Sequence, residues 1–263
     1  MILIGQKFCT FLGVIEDELF IIKAQDVSVS NRKPIRCYRE YLGYLIGTRL
    51  GLKVPKTHLL VHSVYGRISV QNFIYNARRI PLSLYHSLKT STVGFKITLL
   101  DIICGNHDRR PDNVLELSGA VLPIDFNVAF GFNGENAFYA EANTIIMSWL
   151  GVDGILELHQ EHRHRLQTEA RTVQRLVDKQ YLHYCLQKIE PCFLSSGEKE
   201  RLFVRIWDRI DNLQGFLEEW WQQTVAPLFC LIRQGGQTWQ KKASENRQTK
   251  HQKKSRLLCF NLS

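Results

Sequence analysis

Gly105-Asn-His-Asp-Arg-Arg-Pro-Asp-Asn-Val114, followed by Val121-Leu-Pro-Ile-Asp-Phe126, decides how this chain is read. The first stretch sets a carboxylate, Asp108, and an amide, Asn113, five residues apart on a polar loop. The second ends an apolar strand on another carboxylate, Asp125, seventeen residues after Asp108. Phosphoryl transfer from ATP needs these three groups. One aspartate accepts or orients the nucleophile's proton, and an asparagine and a second aspartate hold magnesium against the phosphates. The apolar run Ile97-Thr-Leu-Leu-Asp-Ile-Ile-Cys104 reads as the helix that presents the loop. The same letters also suit ordinary turns, because Asp, Asn, Pro and Gly fit turn geometry. Upstream residues decide between the two.

A kinase-type site also needs a lysine on a strand to grip phosphates and a glutamate on a helix to hold that lysine. Lys7 to Ile15, an acidic turn Glu16-Asp17-Glu18, and Leu19-Phe-Ile-Ile-Lys-Ala24 read as a hairpin. Lys23 falls inside the second strand, where a charge is costly unless paired. Residues 34–51 read as a helix, with Tyr38, Tyr41, Leu42, Leu45, Ile46 and Leu50 at helical spacing and Gly51 as its stop. Between Val27 and Leu100 there are twelve Lys and Arg but one acidic residue, Glu40. An acidic partner for Lys23 from that region is therefore Glu40. The competing readings are a solvent-facing edge-strand lysine and a surface glutamate beside Arg36 and Arg39.

Gly105-Asn-His-Asp108 also resembles a motif of calcineurin-like metallophosphoesterases. Such a two-metal site needs further ligands. The chain has no Asp-x-His and no Gly-Asp dipeptide, so this stays a remote alternative.

The lysine strand, the glutamate helix running into Leu50-Gly-Leu-Lys-Val-Pro55, the apolar helix, Gly-Asn-His-Asp-Arg-x-x-x-Asn and Ile-Asp-Phe together resemble the HipA-like kinases. These belong with the phosphatidylinositol 3-/4-kinase-like branch of the protein-kinase-like fold. The resemblance covers residues 8–132. It implies a two-lobed α+β fold: a small antiparallel β-sheet lobe with one helix, residues 1–76, and a larger helical lobe with the catalytic loop, 77–232. It implies Lys23 at the ATP phosphates, Glu40 on Lys23, Asp108 as catalytic aspartate, and Asn113 and Asp125 on Mg2+. Phe73-Ile-Tyr-Asn76, after the strand Arg67–Gln71, falls at the lobe junction, which puts Phe73 and Ile74 against adenine. The implied activity is ATP- and magnesium-dependent transfer of the γ-phosphoryl group to a hydroxyl, read here as a protein serine or threonine. A non-catalytic nucleotide-binding module acting through partners is the alternative. Arg110 stands where phosphoinositide-kinase relatives carry His, so lipid specificity does not transfer. Asn127 replaces the glycine of an Asp-Phe-Gly triplet. Only Gly5 and Gly13 flank the first strand, and no glycine-rich triplet is present.

At 263 residues the chain can bury a substantial core. No apolar run approaches the ~18–20 residues that cross a bilayer. The start lacks a basic region ahead of its apolar residues, so no signal peptide is expected. Seven scattered cysteines without a Cys-x-x-Cys pair read as reduced thiols of a cytoplasmic protein. The net charge of +9 is concentrated: residues 233–263 carry +7, leaving +2 for the rest. That tail reads as disordered, and as a solvated segment or a handle for a polyanionic or acidic partner.

Residues 143–232 read as mainly helical. Ile155 to Tyr184 gives one long amphipathic pattern. Ser195 or Ser196 caps the next helix, and Leu202, Phe203, Ile206, Ile210, Leu213, Phe216, Leu217 and Trp220 repeat along it. The cluster His159, His162 and His164 has no two histidines four apart, and reads as a solvated helix face rather than a metal site.

Overall fold

Five strands form an antiparallel sheet in the order β1-β2-β3-β5-β4: β1 (Ile2–Lys7), β2 (Thr10–Ile15), β3 (Glu18–Ala24), β4 (Thr57–His62) and β5 (Gly66–Asn72). The computed structural model describes residues 2–7, 10–26, 36–131, 138–156 and 158–227. The expected hairpin is present as β2–β3. Glu16 and Asp17 both take positive φ, 50° and 63°, the backbone of a two-residue turn whose twist suits a hairpin. One detail differs from the sequence reading. Lys7 does not open the hairpin but closes a separate strand, β1, which pairs with β2. The run Ile2-Leu-Ile-Gly-Gln-Lys7 is thus sheet, and β3 is a central strand rather than an edge.

Helix α1 (Cys37–Arg49) lies between β3 and β4 in the chain. It ends where expected: Gly51 has φ 75°, and the Leu52 and Gly51 amides return to Gly47 and Thr48 carbonyls. On the outer side of the sheet Phe11, Ile22, Ala24, Ile68 and Val70 form an apolar cluster. Lys23 and Ser69, which alternate with them, face the other way.

After β5 come β6 (Arg78–Arg79), α2 (Leu82–Lys89) and α3 (Thr92–Cys104). A single 3-10 turn, Pro111–Asn113, leads into β7 (Val114–Leu117) and β8 (Ala120–Pro123), which join β6 in a three-stranded antiparallel sheet. Helix α3 is apolar nearly all round and correspondingly buried from Ile97 to Cys104. The helices α4 (Phe138–Leu156), α5 (Gln160–Leu176), α6 (Lys179–Gln187) and α7 (Ser196–Trp220) complete the fold. The pattern expected to run unbroken from Ile155 to Tyr184 is divided in two places. His159 and His162 cap α5 reciprocally, and Asp178 caps α6 by accepting from the Tyr181 amide at 2.7 Å. The histidine cluster is therefore partly a cap. Among the described residues no group of three or more His, Cys, Asp or Glu could hold a metal.

The chain divides into two compact units, Met1–Leu217 and Glu218–Ser263. In the first, the predicted stripe of α7 is buried at Leu202, Ile206, Ile210, Leu213, Phe216 and Leu217, while Phe203 stacks on His183 at 3.9 Å. In the second, Trp220 and Trp221 are buried and meet edge to face, and a π-helical turn runs Trp221–Val225. The basic segment 233–263 lies outside the described residues, and with it the expectation of a disordered tail. Among the described residues no helix is long and apolar enough to cross a membrane.

Candidate active site

Lys23 is the centre of the candidate site. Its Nζ lies 2.5 Å from Glu40 Oε1 and 3.1 Å from Asp125 Oδ1. β3 presents Lys23 on the face that α1 covers, and α1 turns Glu40 toward it. Glu40 is wholly buried and pays for that with four contacts. Besides Lys23 it accepts from Gln71 Nε2 at 3.0 Å, and both its oxygens lie 3.2 Å from the Phe126 amide. One carboxylate therefore holds the lysine and the backbone just after Asp125. Burial pulls the Lys23 ammonium down, but Glu40 and Asp125 more than offset it and raise its pKa above the usual 10.5. For Asp125, burial pushes the carboxyl up, yet Lys23 prevails and holds it below 3.8.

Asp125 itself has φ 63°. A non-glycine residue in the left-handed region is unfavourable and persists where its surroundings fix it. Here the Phe126 amide on Glu40 and the Asp125 carboxylate on Lys23 do so. Gly43, one turn beyond Glu40, makes room for the Phe126 ring: a Cβ there would stand 2.4 Å from Phe126 Cγ.

The Asp108 loop is built on α3. Gly105 ends that helix at φ 63°, which lets the chain turn back. Asp101, buried in the apolar helix, is met by Asn106 Nδ2 at 2.9 Å and by Arg109 through Nε at 2.9 Å and Nη2 at 2.8 Å. Arg109 is itself buried. Burial would lower its pKa, but Asp101 outweighs that and raises it. Its Nη1 donates to the Asn113 carbonyl at 2.9 Å and the Ile124 carbonyl at 2.5 Å, and its guanidinium lies over the Phe126 ring. The Ile124 amide returns to the Asn113 carbonyl at 3.0 Å, and Asn113 Nδ2 donates to the Asp108 carbonyl at 2.6 Å. Arg109 thus staples the loop to the segment that carries Asp125, which lies two residues past the end of β8 rather than at the strand's end as the sequence suggests. Asp108 is partly exposed and held by Arg110, Nε to Oδ1 at 2.8 Å and Nη2 to Oδ2 at 3.0 Å.

A cavity of about 350 Å3 opens beside Lys23. Lys23, Asp125, Phe73, Ile74, Ile21, Pro55 and Asn127 are among its walls. Of the seven residues singled out from the sequence, four line this cavity, Glu40 lies directly behind it, and Asp108 and Asn113 are tied to it through Arg109 and Ile124 without lining it. The donor set suits magnesium. That ion takes oxygen ligands and is commonly held by one or two protein carboxylates plus phosphates rather than an all-protein cage. Asp125 supplies a carboxylate. In the same wall Asn127 Oδ1 is buried with no hydrogen-bond partner. Asn113 donates its Nδ2 to the Asp108 carbonyl and stands outside the cavity wall.

Gln71, Asp101, Asn106, Arg109 and Gly43 were not singled out by the sequence reading. Asp101 left a signal, a lone charge in an otherwise apolar helix. Gln71 and Gly43 left none, since their roles depend on contacts across the sheet.

A lysine strand, a glutamate helix, a loop after an apolar helix and an aspartate just past a strand, in this order on a small antiparallel sheet and a larger helical part, define the class: a two-lobed α+β fold of the protein-kinase-like kind. Solved structures bear this out. The Helicobacter pylori proinflammatory kinase CtkA superposes with a TM-score of 0.56 at 15% identity, over 82% of this chain and 93% of that one. HipA of Shewanella oneidensis, from a toxin–antitoxin complex with HipB and operator DNA, superposes with a TM-score of 0.51 at 12% identity, over 82% and 66%. No protein-family model and no curated protein sequence matches the chain.

Proposed function

We propose that this protein is a kinase that uses ATP and Mg2+ to phosphorylate a hydroxyl, with protein serine or threonine as the acceptor. The observation that carries the reading is the bridge of Lys23 between buried Glu40 and Asp125, on the wall of a cavity of about 350 Å3. In this reading residues 1–76 bind the nucleotide and 77–232 carry the catalytic loop. Phe73 and Ile74 pack against adenine, and Lys23 meets the phosphates. Asn113 and Asp125 hold magnesium, which neutralises charge developing on the phosphates when bound. Asp108 accepts the proton of the acceptor hydroxyl as the new bond from that oxygen to the γ-phosphorus forms and the bond from the γ-phosphorus to the β–γ bridging oxygen breaks, with ADP as the leaving group. Arg109 fixes the separation between Asp108 and Asp125, which is how this chain sets the geometry of transfer.

A second reading, a nucleotide-binding module acting through partners, is favoured by one observation: Arg110 occupies both Asp108 oxygens. Incubation with γ-labelled ATP and magnesium, alone and with lysate, followed by mass spectrometry of phosphorylated residues, separates the two. Label transfer that disappears in Asp108→Asn supports the kinase. Nucleotide binding without any transfer or hydrolysis supports the module, and no nucleotide binding defeats both.

A further inference from the structure

A second cavity, about 400 Å3, lies where the end of α1 meets α2, the start of α3 and the β7–β8 turn. Its floor is aliphatic. Leu52 and Leu88 are buried there, and Leu84 and Val93 stand 39% exposed. Lys53 and Lys96 also line it, and none of its described lining residues is acidic. Neither lysine has a hydrogen-bond or ion-pair partner among the described residues. The contrast with the candidate active site is sharp. There Lys23, Arg109 and Arg110 each meet a carboxylate.

An apolar trough flanked by two uncompensated cations attracts and orients a ligand of opposite charge with an apolar side. We propose that this groove docks an extended segment of a partner protein in which aliphatic residues alternate with Asp or Glu. In an extended chain successive side chains point to opposite sides. Aliphatic residues then reach the floor, and the carboxylates between them, turned outward, are met by the ammonium ends of the long Lys53 and Lys96 side chains. The chain's own end is the wrong occupant by charge, since residues 233–263 carry +7. This inference is independent of catalysis, because the groove shares no lining residue with the nucleotide cavity.

The test uses the full chain and a fluorescein-labelled peptide of alternating Leu and Glu, with Leu-Gln and Leu-Lys versions, followed by fluorescence anisotropy. The Glu peptide is expected to bind about fivefold more tightly than the Gln peptide, since exposed charge pairs contribute modestly. The difference should shrink with salt, vanish in Lys53→Gln/Lys96→Gln and reverse in sign in Lys53→Glu/Lys96→Glu. Leu84→Asp should weaken all three peptides, which separates the groove from diffuse attraction to a basic protein. Equal binding of Glu and Gln peptides overturns the proposal. So does Glu-peptide binding that survives the charge reversal or Leu84→Asp. If the charge-reversed protein melts early, Lys53→Gln/Lys96→Gln carries the same comparison.

Discussion

At the scale of single residues, Asp125 and Lys23 make the sharpest predictions. Asp125→Ala should abolish metal-dependent transfer while leaving the fold intact, checked by label transfer and circular dichroism. Transfer within a few-fold of wild type would remove Asp125 from the site. Lys23→Met leaves Glu40 buried without its main counter-charge. Breaking one side of a buried pair costs ~3–5 kcal/mol. The low end, about 3 kcal/mol, is expected here because Gln71 and the Phe126 amide remain on Glu40. The pH dependence follows from the shifts. The Lys23 pKa is raised above 10.5, so its stabilisation is present below that pH and lost as pH rises through the raised value. Asp125 is held below 3.8, so its share is present above that pH and lost as pH falls through the lowered value. The gap in stability between wild type and Lys23→Met, measured by urea denaturation, should be flat from about pH 5 to 9 and close outside that window. Arg110→Ala tests the grip on Asp108. The pair is largely exposed, so stability should move by no more than about 0.5 kcal/mol. Turnover should rise, with KM for ATP unchanged. A tenfold loss would mean that Arg110 works in the reaction rather than holding Asp108 back.

At the scale of elements, the question is how α1, α3 and β8 hold the site together. Gly43→Ala puts a methyl into the Phe126 ring, and overpacking of this kind costs roughly 1–3 kcal/mol. The larger effect should be on transfer, because Phe126 adjoins Asp125. Phe126→Leu in the same chain should restore part of the stability. Arg109→Leu should cost ~3–5 kcal/mol, since it strands Asp101 in the apolar helix. Replacing both, Asp101→Leu/Arg109→Leu, should recover much of the stability. It should not recover activity, because Arg109 also bridges the Asn113 and Ile124 carbonyls. Recovery of both by the double variant would make the pair merely structural.

At the scale of the whole molecule, the groove, the nucleotide cavity and the basic end of the chain are separable. All five residues assigned to catalysis and magnesium lie between positions 23 and 125. Deleting 235–263 should therefore leave magnesium-ATP turnover and melting temperature nearly unchanged, while binding to a polyanion such as heparin falls in a salt-dependent way. Loss of turnover with an intact fold would place part of that segment in the active site. The two cavities also predict additivity: Lys53→Glu/Lys96→Glu should not change KM for ATP.

The sequence by itself determined the groups that can do chemistry and the elements that carry them. Asp-x-x-x-x-Asn on a turn, an aspartate ending an apolar run, a lysine flanked by Ile22 and Ala24, and one glutamate in a basic stretch are local patterns. Their spacing is set by covalent chain length and by strand and helix periodicity. Gly51 ended its helix where expected, because a residue without a Cβ adopts left-handed backbone at no steric cost. Only the tertiary structure decided the rest. Nothing local says that Glu40 spans both Lys23 and the Phe126 amide, or that Arg109 reaches two carbonyls eleven residues apart. Nor does anything local say that Gly43 is small because Phe126 lies against it. These depend on contacts between residues from 4 to more than 100 positions apart in the chain. Lys7 showed the same limit in the other direction: alternation alone could not place the break between β1 and β2, which is set by pairing across the sheet. Lys53 and Lys96 were ordinary surface lysines in the sequence. They became a pair because α1 ends beside the first turns of α3, a juxtaposition that only the packed chain supplies.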